Sequence, residues 1–249
     1  MLPDAEERAA ATARLWEASH GAAGPEAVVE LAVRELFPGE IAAVSSFGAE
    51  SAVLLHMIAE VDPTTPVLFL DTGKHFRATL DYRADLVDRL GLTDVRDILP
   101  VAETVKTEDP FGALAMTDKD RCCFIRKVEP MARGVAPFRA WMTGRKQFQA
   151  ATRLGLPVFE SVGPRIRINP LARWRSEDLA AYVKKHDLPP HPLTAQNYRS
   201  IGCMPCTRPV GEGEDQRAGR WADSEKTECG IHLSGVADSL KNLEIGERK

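Results

Sequence analysis

Five cysteines are the residues of this sequence whose number and spacing point most directly to chemistry. Cys122 and Cys123 are adjacent, and Cys203 and Cys206 form a Cys-x-x-Cys pair in the stretch GCMPCTRP. Because a reducing compartment disfavours structural disulfides, such clusters more often bind metal or carry out redox chemistry. Cys229 stands apart from both pairs, so the five cysteines divide into a set of four and one further thiol.

The adjacent pair bears on which metal centre the four cysteines could hold. Neighbouring side chains on a helix diverge by about 100°, which fits a single tetrahedral zinc ion poorly. Two adjacent thiolates can bind different irons of one polynuclear cluster, and four cysteines are the usual complement of a [4Fe–4S] cluster. Chemistry alone favours the cluster and leaves zinc, or thioredoxin-like redox chemistry at the Cys-x-x-Cys, as alternatives.

The fifth cysteine lies in the stretch EKTECGIHL. Lys226 and His232 are close to Cys229 in sequence and could favour its thiolate. A lone cysteine is often a buried small hydrophobe, but Gly230 and the polar neighbours argue against burial here. The sequence therefore predicts an accessible nucleophile at Cys229, on a mobile segment.

Two loops that follow predicted strands carry small and polar residues. The first, SSFGAES (45–51), would let backbone N–H groups approach an anion at a helix N-terminus, and it lacks the Gly-Lys-Ser/Thr of a Walker A loop. In the second, LDTGKHF (70–76), Asp71 could accept a hydrogen bond from a ribose or adenine, and Lys74 could meet a phosphate. Open parallel sheets bind ligands at such strand ends. A plain tight turn and a helix cap are the alternatives.

Charge is unevenly distributed along the chain. The net charge is −4, but residues 1–120 carry −12 and residues 121–249 carry +8. Guanidinium groups bind phosphate and sulfate oxygens bidentately, and a basic half favours an anionic ligand such as a nucleotide or a nucleic acid over an uncharged one. A solvated basic surface is the alternative. The basic residues near the motifs are Arg145, Lys146, Arg208, Arg217 and Arg220.

The pattern of elements predicts an α/β protein. Strand-like and helix-like segments alternate, which favours a parallel sheet with right-handed crossovers. Residues 100–118 are predicted to be a loop, and the chain from Gly202 onward a largely irregular tail. Predicted helices cover residues 4–19, 25–37, 49–60, 76–90 and 176–186, another carries Cys122 and Cys123, and predicted strands cover residues 40–47, 66–71, 94–99, 138–144 and 165–171.

Length and composition exclude some classes of protein. The chain has 249 residues, of which 44% are hydrophobic and 27% charged, and this is ordinary globular composition. No apolar run approaches the roughly 20 residues that span a bilayer. The acidic, amphipathic N-terminal stretch lacks the features of a signal peptide. The sequence therefore predicts a cytoplasmic protein with no membrane partner.

Together these motifs resemble the assimilatory sulfonucleotide reductases, in particular the iron–sulfur branch that acts on adenylyl sulfate (APS). The resemblance covers about residues 45–233, and the combination of Cys-Cys, Cys-x-x-Cys and Glu-Cys-Gly-x-His is highly specific although each piece alone is not. It is carried by SSFGAES, LDTGKHF, RCCFIRKVEP, TGRKQ, CMPCTRPV, EDQRAGRW and ECGIH.

The resemblance implies a fold and a set of site residues. The fold would be that of the adenine-nucleotide alpha hydrolases, a Rossmann-like parallel sheet flanked by helices, with N-terminal helices (1–38), a nucleotide-binding and iron–sulfur domain (39–210) and a mobile C-terminal segment (211–249). Cys229 would be the catalytic nucleophile, and Cys122, Cys123, Cys203 and Cys206 would ligate a [4Fe–4S] cluster. The implied substrate-binding residues are Ser45, Ser46, Phe47, Gly48, Ser51, Leu70, Asp71, Thr72, Gly73, Lys127, Arg145, Arg217, Arg220 and His232.

The resemblance also implies a reaction. Cys229 would attack the sulfur of APS, expel AMP and become an S-sulfocysteine, from which thioredoxin or glutaredoxin would release sulfite. A PAPS reductase, or one acting on both nucleotides, is the nearest alternative. An iron–sulfur tRNA-thiolating enzyme would need an ATP pyrophosphatase loop, which SSFGAES is not, and a metal-stabilised nucleotide-binding module would need no nucleophile. No nucleic-acid partner is expected, and a homo-oligomer is compatible with the family.

Overall fold

The computed structural model describes residues 4–222, 226, 228–232 and 235–246, with backbone alone at 232 and 241–246. Its centre is a six-stranded sheet with the order β3-β2-β1-β4-β6-β5. All neighbouring strands are parallel except β5, which runs antiparallel to β6. The strands are β1 (Ile41–Ser45), β2 (Val67–Leu70), β3 (Val95–Ile98), β4 (Ala140–Thr143), β5 (Phe159–Val162) and β6 (Arg165–Ile168).

The order of the strands fixes where a ligand can bind. From β1 the chain adds β2 and then β3 on one side, and it then crosses over to place β4 on the other side of β1. The connections therefore diverge between the ends of β1 and β4, and such a switch point opens a crevice beyond the carboxyl ends of the strands. β2 and β4 are buried along their whole length, as expected for strands covered on both faces.

Helices cover both faces of this sheet. Two of them continue into π-helical turns, at Ala32–Leu36 and at Phe124–Val128, and π turns inside helices are often found at functional sites. The helices are α1 (Ala5–His20), α2 (Pro25–Leu31), α3 (Ser51–Val61), α4 (Arg77–Leu90), α5 (Ala102–Glu108), α6 (Leu114–Thr117), α7 (Lys119–Cys123), α8 (Glu129–Val135), α9 (Ser176–Lys185) and α10 (Gly235–Gly246).

The predicted parallel sheet flanked by helices is confirmed, with three differences in detail. The segment 100–118 is not one loop, because it contains α5 and α6. The tail after Gly202 is less irregular than predicted, since α10 forms and buries Val236 and Leu240 against the face of the sheet that α8 covers. The edge strand β5 was not predicted, because it has only four residues and two of them are polar.

Apolar side chains pack on both sides of the sheet in two clusters. The larger cluster includes α1, whose Trp16 meets the rings of Phe37 and Phe159 edge to face at 5.3 and 6.1 Å. Within the part of the chain that is described, no helix has both the length and the apolar character needed to cross a bilayer.

Candidate active site

A cavity opens at the switch point of the sheet. Its walls include Ser45 and Ser46 after β1, Thr143 and Arg145 after β4, and the sulfur-bearing residue Cys229 from the C-terminal segment. The position agrees with the rule for open parallel sheets. Residues far apart in sequence therefore meet in one crevice, which we call the switch-point cavity.

The loop after β1 approaches this cavity closely. Phe47 adopts a positive φ of 47°, and its side chain turns into the core against Phe69, with ring centroids 5.7 Å apart. This turn leaves Ser46, Gly48 and Ser51 on the cavity wall. A Cβ on Gly48 would lie 3.2 Å from the carbonyl oxygen of Ile201, so the loop and the opposite wall pack tightly there. Of the predicted residues in this loop, only Phe47 does not line the cavity.

The loop after β2 mostly faces away from the cavity. Leu70 and His75 line it, whereas Asp71 accepts a hydrogen bond from the backbone of Gly73 at 2.9 Å. Thr72 is fully buried, and its hydroxyl lies 3.3 Å from the sulfur of Cys203. The structure therefore places Asp71, Thr72 and Gly73 outside the described cavity wall, and Thr72 belongs to the surroundings of the cysteines.

The four cysteines of the predicted metal site surround a second, smaller cavity. Cys122 and Cys123 reach it from α7, and Cys203 and Cys206 from a 3₁₀ turn that begins at Met204. None of the cysteines forms a disulfide. We call this the cysteine cavity, and its remaining walls are Lys74, Ala115, Lys119, Arg126, Lys127, Arg220 and Trp221.

The cysteine cavity is suited to an anionic thiolate-bound group. Burial raises the pKa of Cys122 and of Cys206, so four thiolates need cationic surroundings or a metal to be stable there. Arg126 supplies one fixed charge, held by Asp109 at 2.7 Å and by the carbonyl oxygen of Thr72 at 2.9 Å. No three His, Cys, Asp or Glu side chains of the described residues converge on a point where they could hold one metal ion.

Lys127 belongs to the walls of both cavities. Burial lowers its pKa, but the negative charges of Cys203 and Cys229 outweigh this effect, and the pKa of Lys127 is raised. The lysine is therefore charged at neutral pH. It occupies the boundary between the thiolates and the space where an anionic ligand would lie.

Cys229 is buried, which corrects the prediction of an accessible thiol. Only 6% of the residue is exposed, because the segment folds over the switch-point cavity. A hydrogen bond from the Cys123 thiol lowers the pKa of Cys229 well below its usual range; burial opposes this shift, and the charge of Lys127 adds to it. The predicted nucleophile therefore faces the cavity as a thiolate. The side chain of His232 lies outside the described residues.

Basic side chains form the wall opposite the loop after β1. Burial and then the neighbouring charge of Arg167 lower the pKa of Arg145 to about 10, and its Nη1 donates to Glu160 at 2.7 Å. The Nε groups of Arg145 and Arg220 are buried without a hydrogen-bond partner among the described residues. Buried donors of this kind normally have partners, and both arginines belong to the wall that an anion in the cavity would meet.

Two ion pairs of this wall could not be predicted from the sequence. Lys146, which is almost completely buried, donates to Glu50 at 2.6 Å, and Arg153 forms two hydrogen bonds with Glu228 at 2.7 and 2.8 Å. The partners are 96 positions apart in the first pair and 75 in the second. Lys146 was predicted as a basic residue near the motifs, but nothing in the spacing indicated either partner.

Comparison with known proteins identifies the family to which this arrangement belongs. The model of the phosphoadenosine phosphosulfate reductase domain matches residues 40–209, more than half of the chain. The chain belongs to this family. An adenosine 5'-phosphosulfate reductase of Mesorhizobium japonicum is 58% identical over 98% of this chain and 96% of that protein. A phosphoadenosine 5'-phosphosulfate reductase of Gloeobacter violaceus is 38% identical over 88% of this chain and 91% of that protein.

The family also accounts for the fold. The crystal structure of a phosphoadenylyl-sulfate reductase from Candida auris, a phosphate complex, matches with a TM-score of 0.65 and 25% identity. The match covers 82% of this chain and 97% of that one. The resemblance to the APS/PAPS reductases that the motifs indicated is thus confirmed over nearly the whole length of these relatives.

Proposed function

We propose that this chain reduces APS to sulfite and AMP, as the name of its Mesorhizobium relative suggests. The observation that carries the proposal is the position of the Cys229 sulfur. It lies in the switch-point cavity beside the charge of Lys127, which lowers the pKa of Cys229, within a wall that also holds Arg145, Arg217 and Arg220. A nucleophile beside this many cations suits an electrophile that carries two anionic groups.

The first step transfers the sulfonyl group to the enzyme. The Cys229 thiolate attacks the sulfur of APS, an S–S bond forms, and the bond from sulfur to the phosphate oxygen breaks. AMP leaves with that electron pair. Its phosphate charge would be stabilised by the unpartnered Nε donors of Arg145 and Arg220. Such preorganised donors act where charge develops in the transition state.

The second step needs two electrons from a dithiol protein, which we propose is thioredoxin or glutaredoxin in the cytoplasm. One thiolate of the dithiol attacks the Cys229 sulfur, so that sulfite leaves with the electron pair of the S–S bond. The second thiolate then resolves the mixed disulfide and restores Cys229. Because Cys229 is buried, its segment must open between the two steps, as lids do in other enzymes.

The cysteine cavity would hold a [4Fe–4S] cluster through Cys122, Cys123, Cys203 and Cys206. Four free cysteines around one cavity with five lysine and arginine neighbours fit a thiolate-ligated anionic group. The cluster would supply a fixed charge and a covalent frame, since thiol chemistry provides both electrons. Arg126 and the hydroxyl of Thr72 orient the loop and the Cys203 sulfur around it.

A second substrate is favoured by one observation among the relatives. The Gloeobacter protein, which aligns with 88% of this chain, is named for the 3'-phosphorylated nucleotide. We therefore propose PAPS as an alternative or additional substrate.

Rates of sulfite release from APS and PAPS test the proposal. Anaerobically purified protein is assayed with each nucleotide and thioredoxin, and iron and acid-labile sulfide are determined on the same sample. We expect turnover of APS, about four irons per chain, and no turnover by Cys229→Ser with its iron unchanged. Comparable PAPS turnover would widen the substrate range, and iron-loaded protein that releases no sulfite would overturn the proposed function.

A further inference from the structure

Glu228, immediately before the nucleophile, is a carboxylate in a cavity otherwise suited to anions. It is 6% exposed, and its two oxygens accept from Arg153 Nε at 2.7 Å and Nη2 at 2.8 Å. A third hydrogen bond comes from Arg217 Nη2 at 3.1 Å. Burial alone would raise the pKa of Glu228, but the hydrogen bonds and charges of the two arginines lower it. The side chain is therefore an ionised, buried partner of Arg153.

Arg153 is itself fixed to the body of the protein. Only 4% of it is exposed, and its Nη1 donates to Gln149 Oε1 at 2.5 Å. Gln149 in turn donates to Glu50 at 2.8 Å, which belongs to the turn before α3. Through Arg153 and Gln149, the Glu228 carboxylate is thus connected by hydrogen bonds to Glu50 in the loop after β1.

A second contact ties the segment down two residues before Glu228. Lys226 pairs with Asp120 of α7; the side chain of Lys226 is 12% exposed and that of Asp120 is 86% exposed. Because Asp120 remains solvated, water screens this pair more than a pair between two buried groups. Removing one member of a fully buried pair costs more, because the other charge remains buried without a partner. Both members of the Glu228–Arg153 pair are buried, so we expect this pair to be the stronger of the two contacts.

We propose that Glu228 is a positioning residue whose buried pair with Arg153 holds Cys229 in the attacking position. The segment opens to the reductant only when this pair separates. This proposal rests on the proposed function, which gives the closed position its role in catalysis. Whether the Glu228–Arg153 pair keeps Cys229 buried can be tested without turnover.

The test measures how fast iodoacetamide alkylates Cys229 in the substrate-free, iron-loaded protein. The rates are compared on the plateau at high pH, where Cys229 is fully ionised. A change in its pKa, which removal of a neighbouring charge could cause, therefore does not affect the comparison. Glu228→Gln is expected to raise the plateau rate at least about tenfold, since a Gln keeps the shape but not the charge of a buried pair. Arg153→Lys, which loses the two-pronged geometry, should raise the rate in the same direction.

Asp120→Asn is the control, because it removes the charge of a solvated carboxylate and keeps a hydrogen-bond acceptor for Lys226. Its plateau alkylation rate should stay within about twofold of that of the unchanged protein. In parallel, Glu228→Gln should slow the single-turnover sulfonation of Cys229 by APS at least about tenfold, since misplacement of a nucleophile by 1 Å can cost 10²-fold. The dissociation constant of AMP should change by less than about threefold, because Arg153 and Arg217 keep their charges and their places in the cavity wall.

Two results would overturn the proposal. An unchanged plateau rate of alkylation in Glu228→Gln would mean that another contact holds the segment closed. Much tighter binding of AMP would mean that Glu228 competes with the ligand for the arginines instead of positioning Cys229. Because alkylation needs neither APS nor thioredoxin, failure of the proposed function would leave this readout intact.

Discussion

Lys127 links the two halves of the site at the scale of a single residue. It forms part of the walls of both the switch-point cavity and the cysteine cavity. Its pKa is raised because the thiolates of Cys203 and Cys229 outweigh the effect of burial. A positive charge at this boundary stabilises thiolates on one side and an entering anion on the other. The two cavities are therefore electrostatically one site.

Replacement of Arg145 tests the anion-binding wall. Arg145→Met removes a buried Nε donor that has no partner among the described residues. Because a hydrogen bond to a charged group is worth about 1.5–3 kcal/mol, we expect the dissociation constant of AMP to rise at least about tenfold. Isothermal titration calorimetry with AMP measures this directly.

Arg139→Met is the control for Arg145→Met. Arg139 directly precedes β4, at the end opposite Arg145, and its side chain is 65% exposed and paired with Glu40. The control should bind AMP within about threefold of the unchanged protein, because an exposed pair contributes little. Equal losses in both variants would show that the effect is not specific to the wall of the cavity.

The residue types in the sequence indicated the chemistry of the site more readily than they indicated which side chains would contact each other. The cysteines and Arg145, Arg217 and Arg220 could be predicted, because their chemical classes and local motifs are visible in the sequence. The Glu228–Arg153 pair could not, since its members meet only after the sheet has formed. Thr72 looked like a nucleotide contact by its place in a loop, yet the backbone turn carries it to the sulfur of Cys203.

At the scale of elements, the contact between two short turns sets the position of Cys229. Gly230 begins a 3₁₀ turn that packs on the π-helical turn after α7. A Cβ on Gly230 would lie 2.8 Å from Cγ2 of Val128, which is too close for two carbon atoms. The absence of a side chain at Gly230 is thus what lets the nucleophile's segment approach the cysteine-bearing helix.

Gly230→Ala should therefore slow the sulfonation of Cys229 at least about tenfold, through displacement of the turn. Val128→Ala removes the obstructing methyl groups, and in the double variant the rate should recover most of the loss. Single-turnover kinetics with APS, followed by quantification of the modified peptide, measures both rates. A double variant as slow as Gly230→Ala would contradict steric displacement as the cause.

The elements themselves were predictable where pattern and burial agree. The strands β1, β2 and β4 stood out as short apolar runs, since a central parallel strand is buried on both faces. β3 and β6 were predicted although each of them contains two charged residues. β5 was missed because Glu160 and Ser161 interrupt the apolar pattern of an edge strand. The helix α10 was not predicted, because it follows a stretch rich in glycine, proline and charge. This composition led to the prediction of an irregular tail from Gly202 to the end of the chain.

At the scale of the whole molecule, the titratable core favours neutral pH. His191 is fully buried, accepts from the backbone of Leu193 at 3.1 Å and lies 3.1 Å from the hydroxyl of Thr79. Burial lowers the pKa of His191 to about 4, below the value of about 6.5 in an unfolded chain. The unfolded chain therefore takes up a proton that the folded protein resists, and stability is lost as the pH falls from about 6.5 towards 4.

His191→Gln tests this contribution. The shift corresponds to at most about 3 kcal/mol of unfolding free energy, so the variant should lose less stability than the unchanged protein between about pH 7 and pH 4.5. Urea unfolding midpoints of the two proteins, measured side by side across this range, provide the comparison. Parallel pH profiles would contradict the assignment of this stability to His191.

The distribution of charge along the chain also predicted that the site binds an anion. The basic residues of the wall all lie in the half of the sequence that carries +8, and β4 brings this half against the nucleotide loop after β1. The sequence predicted an anionic ligand and a parallel sheet. It could not predict that the C-terminal segment closes over the crevice, because that contact joins residues that are distant in the chain.

The central claim is that Cys229 accepts the sulfonyl group of APS, and one measurement tests it most directly. Anaerobic protein is mixed with APS in the absence of any dithiol, and the intact chain and its peptides are weighed by mass spectrometry. We predict a gain equal to one SO₃ group, located on the peptide that contains Cys229 and removed by thioredoxin with release of sulfite. No gain in mass, or a gain on any other cysteine, would contradict the account.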